Sequence, residues 1–169
     1  MDGEQQHLVA QVPEAPWLPP GSTAQVWVGR DCVGYEPTII VRLLVTRSSD
    51  EGEQFFTTRS TKGDDLPTLF LGSAGQRLSP DAGLLALLEG TIGRRDATTR
   101  CIGFVRNVVA SPDESYAHPT PHAHVPVFLV TNDATPTADG SWFTLDTARP
   151  TMQERHWWPV IEHYLDGTA

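Results

Sequence analysis

The sequence predicts an α/β (α+β) fold in one domain, and three observations predict it. β-Branched and apolar runs recur at strand length, most clearly over 38–46, Thr-Ile-Ile-Val-Arg-Leu-Leu-Val-Thr. A leucine-rich stretch after Ser79 has the spacing and the end signals of a helix lying on a core. The length, 169 residues, suits a single domain with a sizeable interior.

Residues 1–23 are polar and then Pro-rich, with Pro13, Pro16, Pro19 and Pro20 around Trp17. Prolines at this density block helix and sheet pairing. They predict an extended N-terminal arm, pinned by Trp17, ahead of one domain over 24–169. Residues 24–29, Ala-Gln-Val-Trp-Val-Gly, alternate as a strand does. Residues 38–46 are apolar enough for a central strand. A polar turn over 48–53 leads to a second strand over 54–59, making a hairpin.

The stretch 66–93 reads as a strand-like entry, a Gly-rich loop and a helix. Ser79 is a suitable N-cap, Pro80 suits the first helical position, and Asp81 is favoured there by the helix dipole. Leu84, Leu85, Leu87 and Leu88 share one broad stripe, and Gly90 or Gly93 can end the helix. Residues 100–110 form an apolar strand interrupted by Arg106 and Asn107. A loop over 111–123 holds Pro112, Pro119 and Pro121. A strand over 124–131 follows, with Pro126 marking an edge or a bulge. After a turn-rich loop over 132–140 come a short strand over 141–145 and a helix over 151–166. Trp157, Trp158, Ile161 and Leu165 are its buried candidates, and Pro159 either kinks it or marks its start.

The stretch 66–93 resembles the signature box of the Nudix superfamily with its acids missing. Gly72 and Gly93 have the separation of the first and last glycines of that box, and Leu88 matches its apolar position. In that register Leu78 replaces the first Glu, Ala86 the Arg, Leu87 the next Glu, and Gly90 and Thr91 the final Glu pair. A slip of one residue puts Glu89 on a family Glu but loses both glycines. The order of elements over roughly 38–165 is also similar to the family's. The resemblance implies a Nudix-like mixed β-sheet sandwiched between helices. It also implies a diphosphate-cleaving ancestry that depends on divalent cations held by the Glu cluster.

Composition excludes several classes. Net charge is −9 and the basic residues form no long cluster, which argues against a general nucleic-acid binder or an anionic-membrane binder. The two cysteines, Cys32 and Cys101, have no metal-motif spacing, and a reducing cytoplasmic compartment is the simplest expectation. The N-terminal residues lack a signal peptide's basic and apolar segments, and no apolar run approaches a membrane span.

Three constellations could carry chemistry. Glu89 is the one carboxylate near the box; its plainer role is a solvated helix residue. His118, His122 and His124 are close in sequence, and His122 and His124 would share a strand face. Such a pair can start a metal site or act in acid–base chemistry, with hydrogen bonding or ligand contact as the plainer role. Arg106, Asn107 and Tyr116 form the third. A charged residue in an apolar strand needs a partner or an opening, so Arg106 either binds an acidic ligand or pairs internally.

The expectation is a protein that binds a nucleotide or a small phosphorylated or acidic metabolite through Arg106, Asn107, Tyr116 and His118. No cofactor and no metal-dependent hydrolysis are expected. The alternative is a divergent hydrolase using Glu89, His122 and His124 with magnesium or manganese. A second alternative is an interaction scaffold, with the Pro-rich arm and tryptophans making a homodimer contact.

Overall fold

A computed structural model describes residues 5–72 and 77–167. Four residues of the expected Gly-rich loop, 73–76, lie outside the described residues, as do 1–4 and 168–169. In chain order the elements are β1 (His7–Pro13), β2 (Thr23–Val28), β3 (Ile40–Leu44), β4 (Thr46–Ser49), β5 (Gly52–Ser60), β6 (Gly63–Asp65) and β7 (Thr68–Phe70). Then come α1 (Pro80–Ile92), β8 (Thr99–Val108), β9 (His122–Val130), β10 (Ser141–Phe143), α2 (Leu145–Met152) and α3 (Trp158–Leu165).

Six strands form the main sheet in the order β1-β2-β8-β9-β3-β7. The β3–β9 pair is parallel and the other pairs are antiparallel. A smaller sheet runs β10-β5-β4, with β6 also paired to β5. Period-two alternation gives the main sheet two apolar faces. One face presents Val41, Leu43, Phe104 and Phe128 to Leu87, Leu88 and Ile92 of α1. The other presents Val26, Val105, Val127 and Leu129 to Met152 of α2 and to Val160 and Ile161 of α3. The fold is therefore mixed α+β, a mixed sheet between helices, as expected.

Several details differ from the sequence reading. The strand expected over 38–46 divides at Val45: β3 stays in the main sheet, and β4 enters the small one and makes the hairpin with β5. Residues 7–13 do pair, as edge strand β1, because the run is free of proline until Pro13 ends it. Pro126 sits inside the sheet, between β8 and β3. The parallel ladder has a gap there, between the Thr38–His124 bridge and the first β3 partner, Val127, and the gap accommodates a residue with no N–H. Leu85 is exposed, and Gly83 instead packs inward, where a Cβ would overlap the Leu71 side chain. Gly93, at φ +71°, ends α1; Gly90 lies within the helix. The segment after β10 turns into α2, started by a Thr144–Thr147 capping box. Pro159 marks the start of α3 rather than a kink.

Candidate functional site

A cleft of about 1080 Å³ opens on the α2/α3 side of the main sheet. Its floor is Ile40 and Arg42 of β3, Val105 and Asn107 of β8, and Val125 of β9. The sides come from 16–20, from the β5–β6 turn around Lys62, from the loop bearing Tyr116 and His118, and from residues 151–157.

The polar centre of the cleft is Asp65. Its Oδ1 accepts hydrogen bonds from Arg42 Nη1 (3.2 Å), Trp157 Nε1 (2.7 Å) and the backbone N–H of Leu66 (2.8 Å). Arg42 Nη1 also donates to Thr68 Oγ1 at 2.9 Å. Arg155 donates through Nη2 to the carbonyl oxygens of Lys62 (2.9 Å) and Asp64 (3.0 Å), while its Nη1 stays 3.9 Å from Asp65 Oδ2. One carboxylate thus serves two guanidinium groups, and it is hydrogen-bonded to only one of them. The cleft is also lined by Asp113, whose carboxylate is engaged by the N–H and hydroxyl of Ser115 in its own loop.

His156 lies beside this centre, stacked on the Trp17 indole with ring centroids 3.6 Å apart and planes 19° from parallel. Burial, and then the positive charges of Arg42, Lys62 and Arg155, pull its pKa down to about 4, with Asp65 opposing. Trp17 Nε1 donates to Asn107 Oδ1 at 3.4 Å. The Pro-rich segment therefore folds back over its own cleft, pinned by Trp17.

Tyr116 and His118 meet edge to face, centroids 5.5 Å apart, at another part of the wall. Tyr116 Oη and His118 Nδ1 are both shut off from solvent, and among the described residues neither has a hydrogen-bond partner. Burial raises the Tyr116 phenol above its ordinary value. Burial and the Arg77 charge lower His118. Of the residues expected to bind ligand, the structure brings Asn107, Tyr116 and His118 to this one cleft.

Arg106 is not among its lining. Adjacent strand residues point to opposite faces, so Asn107 faces the cleft and Arg106 faces the other side. There Arg106 Nε donates to His124 Nε2 at 3.0 Å, and its guanidinium lies 5.2 Å from the Trp27 ring and 5.4 Å from the Phe104 ring. His124 is 2% exposed, and its Nδ1 is 3.0 Å from the Pro37 carbonyl oxygen. With Nε2 accepting from Arg106, Nδ1 is the donor, and both ring nitrogens are engaged. His122 is exposed, with its ring 6.1 Å from that of His124. Glu89 lies on the outer face of α1, 60% exposed and ion-paired with Arg95 at 2.7 Å. The structure does not gather Glu89, His122 and His124 into one site.

No family model matches the chain, and no curated protein does. A crystal structure of the Bacillus subtilis pyrophosphohydrolase BsRppH, solved as a point mutant, resembles it with a TM-score of 0.46 and 11% sequence identity, over 80% of this chain and 77% of that one. A likeness of that size does not establish a shared family.

The residues present do not fit a divalent cation in the box. Leu87 and Thr91, which stand at Glu positions of the resembling motif, are buried, and Gly90 has no side chain. Hard cations need clustered oxygen donors. Among the described residues, no group of three His, Cys, Asp or Glu is placed to hold a metal. No helix among them is long and apolar enough to cross a membrane.

Sequence reasoning passed over Arg42, Lys62, Arg155 and the Trp17–His156 stack, and read Asp65 chiefly as a turn residue after Gly63. A signal existed for Arg42. It is the one charge in the run 38–46, the same pattern that singled out Arg106. For Arg155 there was none, and His156 reads from sequence only as a histidine that could join the others if the fold brought it near, since the place of both in the cleft depends on how the chain enters α3.

Proposed function

We propose that this protein binds a small anionic metabolite, carrying a phosphate or carboxylate, in the α2/α3-side cleft, and does so without metal-dependent hydrolysis. The observation that carries the reading is the sharing of Asp65 by Arg42 and Arg155 beside Lys62. At His156 three cations, Arg42, Lys62 and Arg155, act against the single carboxylate of Asp65, although Asp113 and Glu154 also line the cleft; low-dielectric walls concentrate that local field. Guanidinium groups match carboxylate and phosphate geometry in two-pronged contacts. Both cysteines are free thiols, in keeping with a cytoplasmic location.

Sulfate serves as the simplest probe. Calorimetric titration should show saturable binding that Arg155→Met weakens by tenfold or more, since a charge-assisted hydrogen bond contributes about 1.5–3 kcal/mol. Unchanged affinity in that variant refutes the reading. So does turnover of diphosphate compounds with magnesium or manganese that Glu89→Gln abolishes.

A further inference from the structure

We propose that Tyr116 and His118 form a second recognition point in the same cleft, binding an uncharged hydroxyl of the ligand whose anionic group sits at Arg155, so that the ligand class is a polyhydroxylated phosphate or carboxylate. The inference rests on the anion-binding reading above and specifies its ligand.

The first support is the state of two atoms. Tyr116 Oη and His118 Nδ1 are buried and have no partner among the described residues. Buried polar groups are nearly always satisfied, and an unmade hydrogen bond is costly. Both side chains line the cleft, and their rings meet edge to face with centroids 5.5 Å apart. Opening that contact toward the cleft presents a phenolic O–H and an imidazole nitrogen together. A hydroxyl, which donates and accepts, satisfies both.

The second support is charge. His118 is held toward its neutral form and Tyr116 toward its protonated form. A neutral phenol and a neutral imidazole together offer a donor and an acceptor, which suits a hydroxyl. The cations acting on His156 are Arg42, Lys62 and Arg155, whereas the one acting on His118 is Arg77. The two points come from different segments of the lining, and a cleft of about 1080 Å³ has room for one extended molecule. A site that hydrogen-bonds a hydroxyl also rejects the analogue lacking it, because its own polar atoms are then left unpaired.

The test compares sorbitol 6-phosphate with n-hexyl phosphate, which have the same anionic group and chain length and differ in hydroxyls. The full-length protein should bind the sorbitol ester at least tenfold more tightly, the equivalent of one hydrogen bond. Tyr116→Phe and His118→Phe should each bring the ratio of the two affinities toward one. Arg155→Met should weaken both esters and leave their ratio unchanged. Melting curves establish that each variant is folded, and either of the two aromatic variants suffices if the other is not. Equal affinities in the unsubstituted protein, or a ratio that neither variant reduces, overturn this inference while leaving anion binding standing. Absence of binding by sulfate and both esters overturns the two together.

Discussion

His156 reports on the charge around it. Its pKa is held at about 4, below the ordinary 6.5, first by burial and then by Arg42, Lys62 and Arg155. Between those values the unfolded chain takes up a proton that the folded chain refuses. The stabilisation is therefore complete above about pH 6.5 and is lost as pH falls toward 4. His118 and His124 are shifted in the same direction, so acid sensitivity is shared, and His156→Gln should flatten only part of the acid limb of a melting-temperature profile. An anion at the cationic centre favours the charged imidazole. Sulfate, dianionic throughout, should thus bind more tightly as pH falls from 7 to 5, with proton uptake measurable by calorimetry in buffers of different ionisation enthalpy. Loss of that uptake in His156→Gln is the expected result, and uptake that persists unchanged counts against the assignment. The contrast between Arg42 and Arg106 shows what single residues reveal. Each is a cation in an apolar strand, and sequence announces that each needs a partner. Which face it takes is set by strand phase, which the run itself does not mark when both faces are covered.

At the scale of elements, α1 was the most legible part of the chain because its signals are local. Ser79 Oγ accepts the Ala82 N–H at 3.1 Å, and Gly93 closes the other end. Ser79→Ala should cost about 1 kcal/mol of stability in denaturant unfolding. Glu89→Gln should change it by less than about 1 kcal/mol, because its pair with Arg95 is solvent-exposed. A large loss in the second variant would mean that Glu89 has a role the exposed pair does not explain. The edge strand β1 and helix α2 were missed for different reasons. The prolines of the first 23 residues obscured a proline-free run before them. In α2, Pro150 sits inside the helix, a residue that normally argues for a break. The cleft was only partly legible for a similar reason. Its loop residues Tyr116 and His118 lay close together in sequence, whereas Asp65, Arg155 and Trp17 converge from three distant segments.

At the scale of the whole molecule, the two helical layers differ in how they cover the sheet. On the α1 side Leu87, Leu88 and Ile92 pack against the sheet, and the α2/α3 side holds the cleft. That difference depends on how closely α3 approaches the sheet. At Gly103 a Cβ would lie 2.7 Å from both Val160 Cγ1 and the Trp27 carbonyl oxygen. Gly103→Ala should therefore destabilise the fold by about 1–3 kcal/mol, read as a lower urea midpoint. A neutral outcome would show that the helix can retreat freely. Trp158 opens α3, and Arg155 and His156 immediately precede it, so whatever displaces the helix also moves the guanidinium and the imidazole with it. One methyl group, placed on the sheet away from any ligand, should thus loosen the grip on sulfate. If the cleft binds an anion as proposed, its affinity can be tuned from beneath the helix as readily as from the residues lining the cleft.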